Sequence, residues 1–116
     1  MTLSRRGFMQ GSAAGLALWR RALEALAAQP NTAIKISGLG QRGKPWTQAD
    51  NVPVVRDAIA IFGTSRCLFA SNFPVDSLVA DYGTILAGFR AAIADRTAGE
   101  RRALLHDNAV RLYRLD

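Results

Sequence analysis

Residues 66–76 read Arg66-Cys67-Leu68-Phe69-Ala70-Ser71-Asn72-Phe73-Pro74-Val75-Asp76, an apolar run that passes into a polar cluster and then a proline. Cys67, Leu68, Phe69 and Ala70 offer no charge to either face, as a parallel strand covered on both sides requires. Ser71, Asn72 and Asp76 follow where the backbone leaves the sheet. In parallel sheets the loops converge at the carboxyl ends of the strands, and ligands bind there. The stretch is therefore either a strand that presents chemistry at its end or an ordinary strand closed by a proline turn.

Upstream, Val52, Val55, Ile59 and Phe62 recur at helical spacing, with Pro53 in the first turn and Gly63 as the stop. Before that helix, residues 33–37 alternate: Ile34 and Ile36 point one way, and Ala33, Lys35 and Ser37 the other. A lysine between two isoleucines must face solvent, an ion pair or the inside of a barrel. Strand, long loop, helix and strand together imply a crossover joining two parallel strands. A further amphipathic helix places Leu16, Trp19, Leu23 and Leu26 on one face and ends near Pro30. Downstream, Tyr82, Ile85, Leu86, Phe89 and Ile93 stripe one helix. Thr97 and Glu100 form a capping box that starts the last one, with Leu104, Leu105, Leu112 and Tyr113 as its buried side.

The loop Gly38-Leu39-Gly40-Gln41-Arg42-Gly43-Lys44 satisfies a G-x-G-x-x-G spacing and nearly matches a phosphate-binding P-loop. Both matches fail on mechanism. Pro45 supplies neither the hydroxyl that holds magnesium nor a helical amide, and the strand that follows ends in Ser71 and Asn72 rather than an acid. A mobile glycine-rich loop over a site is the stronger reading. A small basic module that uses the loop for phosphate-bearing ligands or nucleotides is the leading alternative function.

With 116 residues and 49% hydrophobic content the chain has room for one packed domain. Its 15 Lys and Arg against 9 Asp and Glu give a net charge of +6, but the basic residues are scattered along helices without the dense run of a nucleic-acid arm. No nucleic-acid partner is expected. The single cysteine, Cys67, cannot form an internal disulfide and falls in the most buried strand, so an inert thiol in a reduced protein is expected. The single histidine, His106, lacks a second histidine or thiol nearby, so no metal site is expected within this chain. No window approaches the ~18 apolar residues of a membrane span.

The first fifteen residues read as a leader. Ser4-Arg5-Arg6-Gly7-Phe8-Met9-Gln10 followed by Gly11 to Leu18 resembles a twin-arginine export signal, although Arg20, Arg21 and Glu24 interrupt the apolar region. A cytoplasmic chain is expected, with periplasmic export, including that of a non-catalytic remnant, as the alternative.

From Leu16 onward the sequence resembles the carboxyl-terminal part of the amidohydrolase-related metal-dependent hydrolases, in their lactonase-like branch. The resemblance is carried by Trp19-Arg20, by Pro30-Asn31-Thr32-Ala33-Ile34-Lys35-Ile36-Ser37-Gly38-Leu39, by Trp46, by Phe62-Gly63 and by residues 66–76. It continues through Asn108-Ala109 to Tyr113-Arg114-Leu115. It implies a (β/α)₈ TIM barrel whose last two strands, parallel and flanked by helices, lie in residues 16–116. It also implies hydrolysis of a cyclic ester or similar carbonyl substrate by an activated water, with a divalent metal in the complete protein.

On this reading Lys35, Ser37, Trp46 and Ser71 contact the substrate, and Asn72 and Asp76 serve the chemistry. In much of the family the last strand ends in an aspartate, and Asn72 stands there in this chain. An amide cannot take up a proton, so Asn72 would orient substrate or water, and Asp76 is the nearest carboxylate able to compensate or, alternatively, to cap the next helix. The family's His-x-His strand lies outside this sequence. Two strands cannot close a barrel, so the chain by itself should be poorly stable, self-associate or require the missing amino-terminal portion.

Overall fold

Ile34 and Ile36 are completely buried while Lys35 between them is only half-buried, so the alternation in this stretch is a true strand pleat. In the computed structural model, which describes residues 2–3 and 13–115, three short strands form one parallel sheet. They are β1 (Thr2–Leu3), β2 (Ile34–Ile36) and β3 (Cys67–Phe69), in that spatial order. The two expected strands are adjacent and parallel, with Ile34 level with Cys67, Lys35 with Leu68 and Ile36 with Phe69. Thr2–Leu3 adds a short third strand on the far edge of β2. Residues 4–12, which hold most of the export-like motif, lie outside the described residues.

Helices α1 (Ala13–Ala27) and α2 (Gln48–Phe62) cover one face of the sheet. Trp19 and Leu23 of α1 join Val55, Ala58, Ile59 and Phe62 of α2 against Ile34, Ile36 and Cys67 in one core. Each large side chain buried there contributes on the order of 1.5–3 kcal/mol relative to exposure. Cys67 is a free, buried thiol, and burial pushes its pKa up to about 12, which keeps it protonated and unreactive.

Helix α2 starts four residues earlier than the apolar spacing suggests. Thr47, in extended geometry, accepts from the Asp50 amide at 3.2 Å and caps the helix there. Pro53 consequently sits inside the helix rather than in its first turn. Its ring and the Ala49 carbonyl that loses a partner are on the exposed side, where water can take the place of the missing amide. Gly63, at φ 82°, ends the helix as expected, its amide donating to Ile59 at 2.8 Å. Arg66 then ties the helix ends together. Its guanidinium donates to Ala27, Gln29, Thr32 and Phe62 carbonyls at 2.9, 3.1, 3.3 and 3.2 Å, a cation placed where two helix carboxyl termini concentrate negative potential.

Beyond β3 come a 3₁₀ turn (Val75–Leu78) and α3 (Tyr82–Ala92), whose Ile85 and Phe89 are buried. Asp81 caps α3, accepting from the Thr84 amide at 2.7 Å, so the capping role open to Asp76 belongs to Asp81. The predicted capping box is present: Thr97 and Glu100 exchange side-chain and backbone bonds at the start of α4 (Ala98–Arg102).

The last helix departs from its expected burial. A π-helical turn (Ala103–Asp107) separates α4 from α5 (Asn108–Tyr113). The wider turn shifts the helical phase, so Leu104 and Asn108 enter the core while Leu105, Leu112 and Tyr113 are exposed. His106, in the same turn, is an exposed surface residue 2.9 Å from Asp107.

Glu100 makes a pH-dependent contribution to this corner. Arg96, 3.1 Å from its carboxylate, together with Thr97 and Thr64, holds its pKa below the ordinary 4.5. The stabilisation is therefore complete above that ordinary value and is lost as pH falls through the lowered one. Glu100→Gln should lose the stabilisation at neutral pH and match the wild type at strong acid, measured by urea unfolding between about pH 2 and pH 7. A constant gap over that range would contradict the assignment.

Candidate active site at the carboxyl ends of two strands

Directly after β2 the chain turns through Ser37, which is buried, and Gly38, at φ 67°. Directly after β3 it turns through Asn72, at φ 57°, a left-handed conformation that asparagine tolerates better than most side chains. These two turns meet. The Asn72 Nδ2 donates to Asp76 Oδ1 at 2.8 Å, and the Asp76 amide donates to the Asn72 carbonyl at 3.0 Å. A five-residue loop, Asn72 to Asp76, is thus closed by both main chain and side chains.

The glycine loop lies on this pair. A β-carbon on Gly38 would stand 3.3 Å from Asn72 Nδ2. One on Gly40 would stand 3.5 Å from Asp76 Oδ1 and 2.6 Å from a Val79 methyl. Residues 38–40 are packed: Leu39 and Gly40 are buried, and the Trp46 amide donates to the Val79 carbonyl at 3.1 Å. The part of the loop expected to cradle phosphate forms an exposed turn, with Lys44 bonded back to Gln41 and the next helix starting only at Gln48. Lys44 opens no helix, so the geometry a P-loop needs is not formed.

The structure brings Asn72 and Asp76 together with Gly38 and Gly40, with Ser37 and Ser71 next to them in the chain, and it sets Trp46 apart. Ser71 Oγ accepts from the Phe73 amide at 3.3 Å and shapes the turn. Lys35 is on the sheet face opposite α1 and α2, level with Leu68, and its side chain makes no hydrogen bond or ion pair among the described residues. Trp46 is in the core at 5% exposure, its ring edge-on to Phe89 at 6.4 Å between centroids. That position commits its ring to α3 rather than to the strand ends. Asp76 is only 1% exposed, whereas Asn72 is half-buried. The role of Gly38, Gly40 and Val79 in enclosing the pair was beyond sequence reading, since Val79 carries no signal that would mark it.

A shallow cleft open to solvent lies between β3 and α3 and is lined by Phe69, Ala70, Ser71, Tyr82, Ile85, Leu86, Phe89 and Leu105. Asn72 and Asp76 are not among its lining residues. Among the described residues no three His, Cys, Asp or Glu side chains gather in one place. One oxygen of Asp76 is already engaged by an amide, so the residues at these strand ends do not by themselves fit a divalent metal. No described helix is long and apolar enough to cross a membrane.

Known proteins place this geometry. The amidohydrolase family profile matches residues 7–115, reaching back into the stretch read as a leader. An uncharacterised protein of Sinorhizobium fredii is 47% identical over 97 residues, covering 84% of this chain and 33% of that protein. An L-fucono-1,5-lactonase of Burkholderia ambifaria is 36% identical over 104 residues, covering 84% of this chain and 36% of the lactonase. Among solved structures, a Burkholderia multivorans amidohydrolase with bound zinc superimposes with a TM-score of 0.73 at 32% identity, over 87% of this chain and 38% of that one. A second crystal form of it, with bound HEPES, reaches a TM-score of 0.78 at 30% identity, over 97% of this chain and 44% of that one. The chain thus spans about a third of the length of the curated relatives it matches. It belongs to the amidohydrolase family and carries the carboxyl-terminal part of that family's TIM barrel.

Proposed function

We propose that this chain forms the substrate-orienting end of a lactonase-like hydrolase barrel, which opens a cyclic ester by addition of water to its carbonyl. The observation that carries the reading is the Asn72–Asp76 pair, closed at 2.8 Å under Gly38 and Gly40 where two parallel strands end. A hydrogen-bonding amide held at that position suits the orientation of an ester or of an attacking water. Lys35, on the face that would line a closed barrel, supplies a cation for a substrate carboxylate or carbonyl oxygen. Ser37 and Ser71 stand beside the same strand ends. The similarity to L-fucono-1,5-lactonases supports a sugar-derived lactone as the substrate.

The reaction needs the remainder of the barrel. Leu105, Leu112, Tyr113 and Leu115 are exposed, an apolar surface of the kind that a partner covers, and the remaining barrel segments are the proposed cover. Co-expression of this chain with the part of the Burkholderia ambifaria lactonase that it does not match should give an assembly that opens L-fucono-1,5-lactone, followed by proton release. Lys35→Met should lower kcat/KM by about 10- to 100-fold, the scale of one charge-assisted hydrogen bond. A folded assembly that opened the lactone no faster than buffer would end the lactonase reading. Unchanged kinetics in the Lys35→Met assembly would remove only the role of the lysine.

A further inference from the structure

The Asn72 side chain can be placed in its turn in two ways, differing by exchange of its oxygen and its NH₂ group. Asp76 decides between them. A carboxylate accepts hydrogen bonds and does not donate them, so the 2.8 Å contact to Asp76 Oδ1 must come from Asn72 Nδ2. The planar amide then turns Oδ1 away from Asp76, and Asn72 Oδ1 makes no hydrogen bond among the described residues. Burial differs across the pair in the same direction. Asp76 is sealed at 1% exposure beneath Gly40 and Val79, and Asn72 is half-buried. The carboxylate therefore has no opening through which to meet a substrate or a free water, while the amide has one.

We infer that Asp76 is a positioning residue, which acts through Asn72 by fixing its Oδ1 outward as a hydrogen-bond acceptor for a hydroxyl group of the substrate. An acceptor held this way selects donors. It favours a polyhydroxylated lactone over the same ring without hydroxyls, because a bare ring leaves the half-buried oxygen unpaired. The glycines support the arrangement: a side chain at 38 would crowd Asn72 Nδ2, and one at 40 would run into Val79. This inference rests on the lactonase reading for its substrate class, but the amide orientation stands on the contact alone.

Two measurements separate the parts. In the ¹⁵N-labelled full chain, the Asn72 side-chain amide should show one proton protected from exchange. Asp76→Asn, whose new amide can either donate or accept, should speed that exchange about tenfold with the backbone spectrum retained, and Asp76→Glu should restore part of the protection. Fast exchange in the wild type, or no change in Asp76→Asn, overturns the orientation.

In the assembled barrel, Asp76→Asn should lower the preference for L-fucono-1,5-lactone over δ-valerolactone, taken as the ratio of their kcat/KM values, about tenfold. Asn72→Ala should do the same, and the double variant should be no worse than Asn72→Ala. Equal losses on both lactones, or additive losses in the double variant, overturn the positioning role. An assembly inactive on every lactone with the exchange pattern intact overturns the hydroxyl-recognition half together with the lactonase reading, and leaves the orientation established.

Discussion

Gly88→Ala is expected to lower the melting temperature by about 10 °C, although the same substitution favours an isolated helix by about 0.5–1 kcal/mol. Gly88 lies within α3, and a β-carbon there would stand 2.0 Å from the Trp46 Cη2 and 2.3 Å from its Cζ3. No rotamer change relieves so close an approach, because the added atom is fixed to the backbone. The indole is no better able to yield, being buried and set edge-on against Phe89. Relief requires displacing the Trp46 ring or separating the 38–46 loop from α3. Overpacking alone costs about 1–3 kcal/mol, and expulsion of a core tryptophan about 3–5. Either exceeds the helical gain.

Gly99→Ala supplies the control. Gly99 is also helical, in α4, but nothing lies within 4 Å of its added carbon. That variant should melt at the same temperature or slightly higher. Thermal unfolding followed by circular dichroism compares the two, and a Gly88→Ala protein as stable as the wild type would mean that Trp46 does not occupy this position.

Asn108→Ala should cost about 3 kcal/mol in urea unfolding, an effect as large as deletion of a core aliphatic side chain. Asn108 is 1% exposed, and its Nδ2 donates to the Thr64 and Cys67 carbonyls at 2.6 and 2.7 Å. One amide group thereby pins α5 to the entry of β3. Truncation leaves both carbonyls without that donor and opens a cavity, and each buried unsatisfied acceptor costs about 1–3 kcal/mol. Asn108→Leu fills the volume but restores neither bond, so it should recover only part of the loss.

Asn108→Asp gives the sharper test. It sets a carboxylate against two carbonyl oxygens, which raises the pKa of the new carboxyl above its unfolded value. Its deficit relative to wild type should be largest at neutral pH and shrink as pH falls and the protonated form becomes a donor. A deficit that stays constant with pH would show that Asn108 does not face those carbonyls.

Residues close in sequence carried much of the architecture. Alternation through Ile34, Lys35 and Ile36, the uncharged run from Cys67 to Phe69 and the helical spacing from Val55 to Phe62 follow from backbone period, which a sequence displays directly. The capping box of Thr97 and Glu100 is equally local. Family resemblance added the barrel and its carboxyl-terminal location. A cap outside the apolar stripe, a distant partner or a change of helical phase decided the remaining features. Thr47 moved the start of α2 and put Pro53 inside it, and the π turn at Ala103–Asp107 turned Leu105, Leu112 and Tyr113 outward while drawing Asn108 in. Trp46, read from the sequence as a substrate contact, has its ring in the core beside Gly88, forty-two residues later in the chain.

The site divides along the same line. Sequence by itself determined that Ser71, Asn72 and Asp76 follow a buried strand and that glycines follow its neighbour, because strand ends and turn residues are written in local order. Only the tertiary structure decided that the two loops touch, that Asp76 is sealed while Asn72 is half open, and that Lys35 lies on the opposite face from the helices. Those outcomes depend on which side chains meet across the sheet, and such contacts arise from packing between segments that the linear order keeps apart.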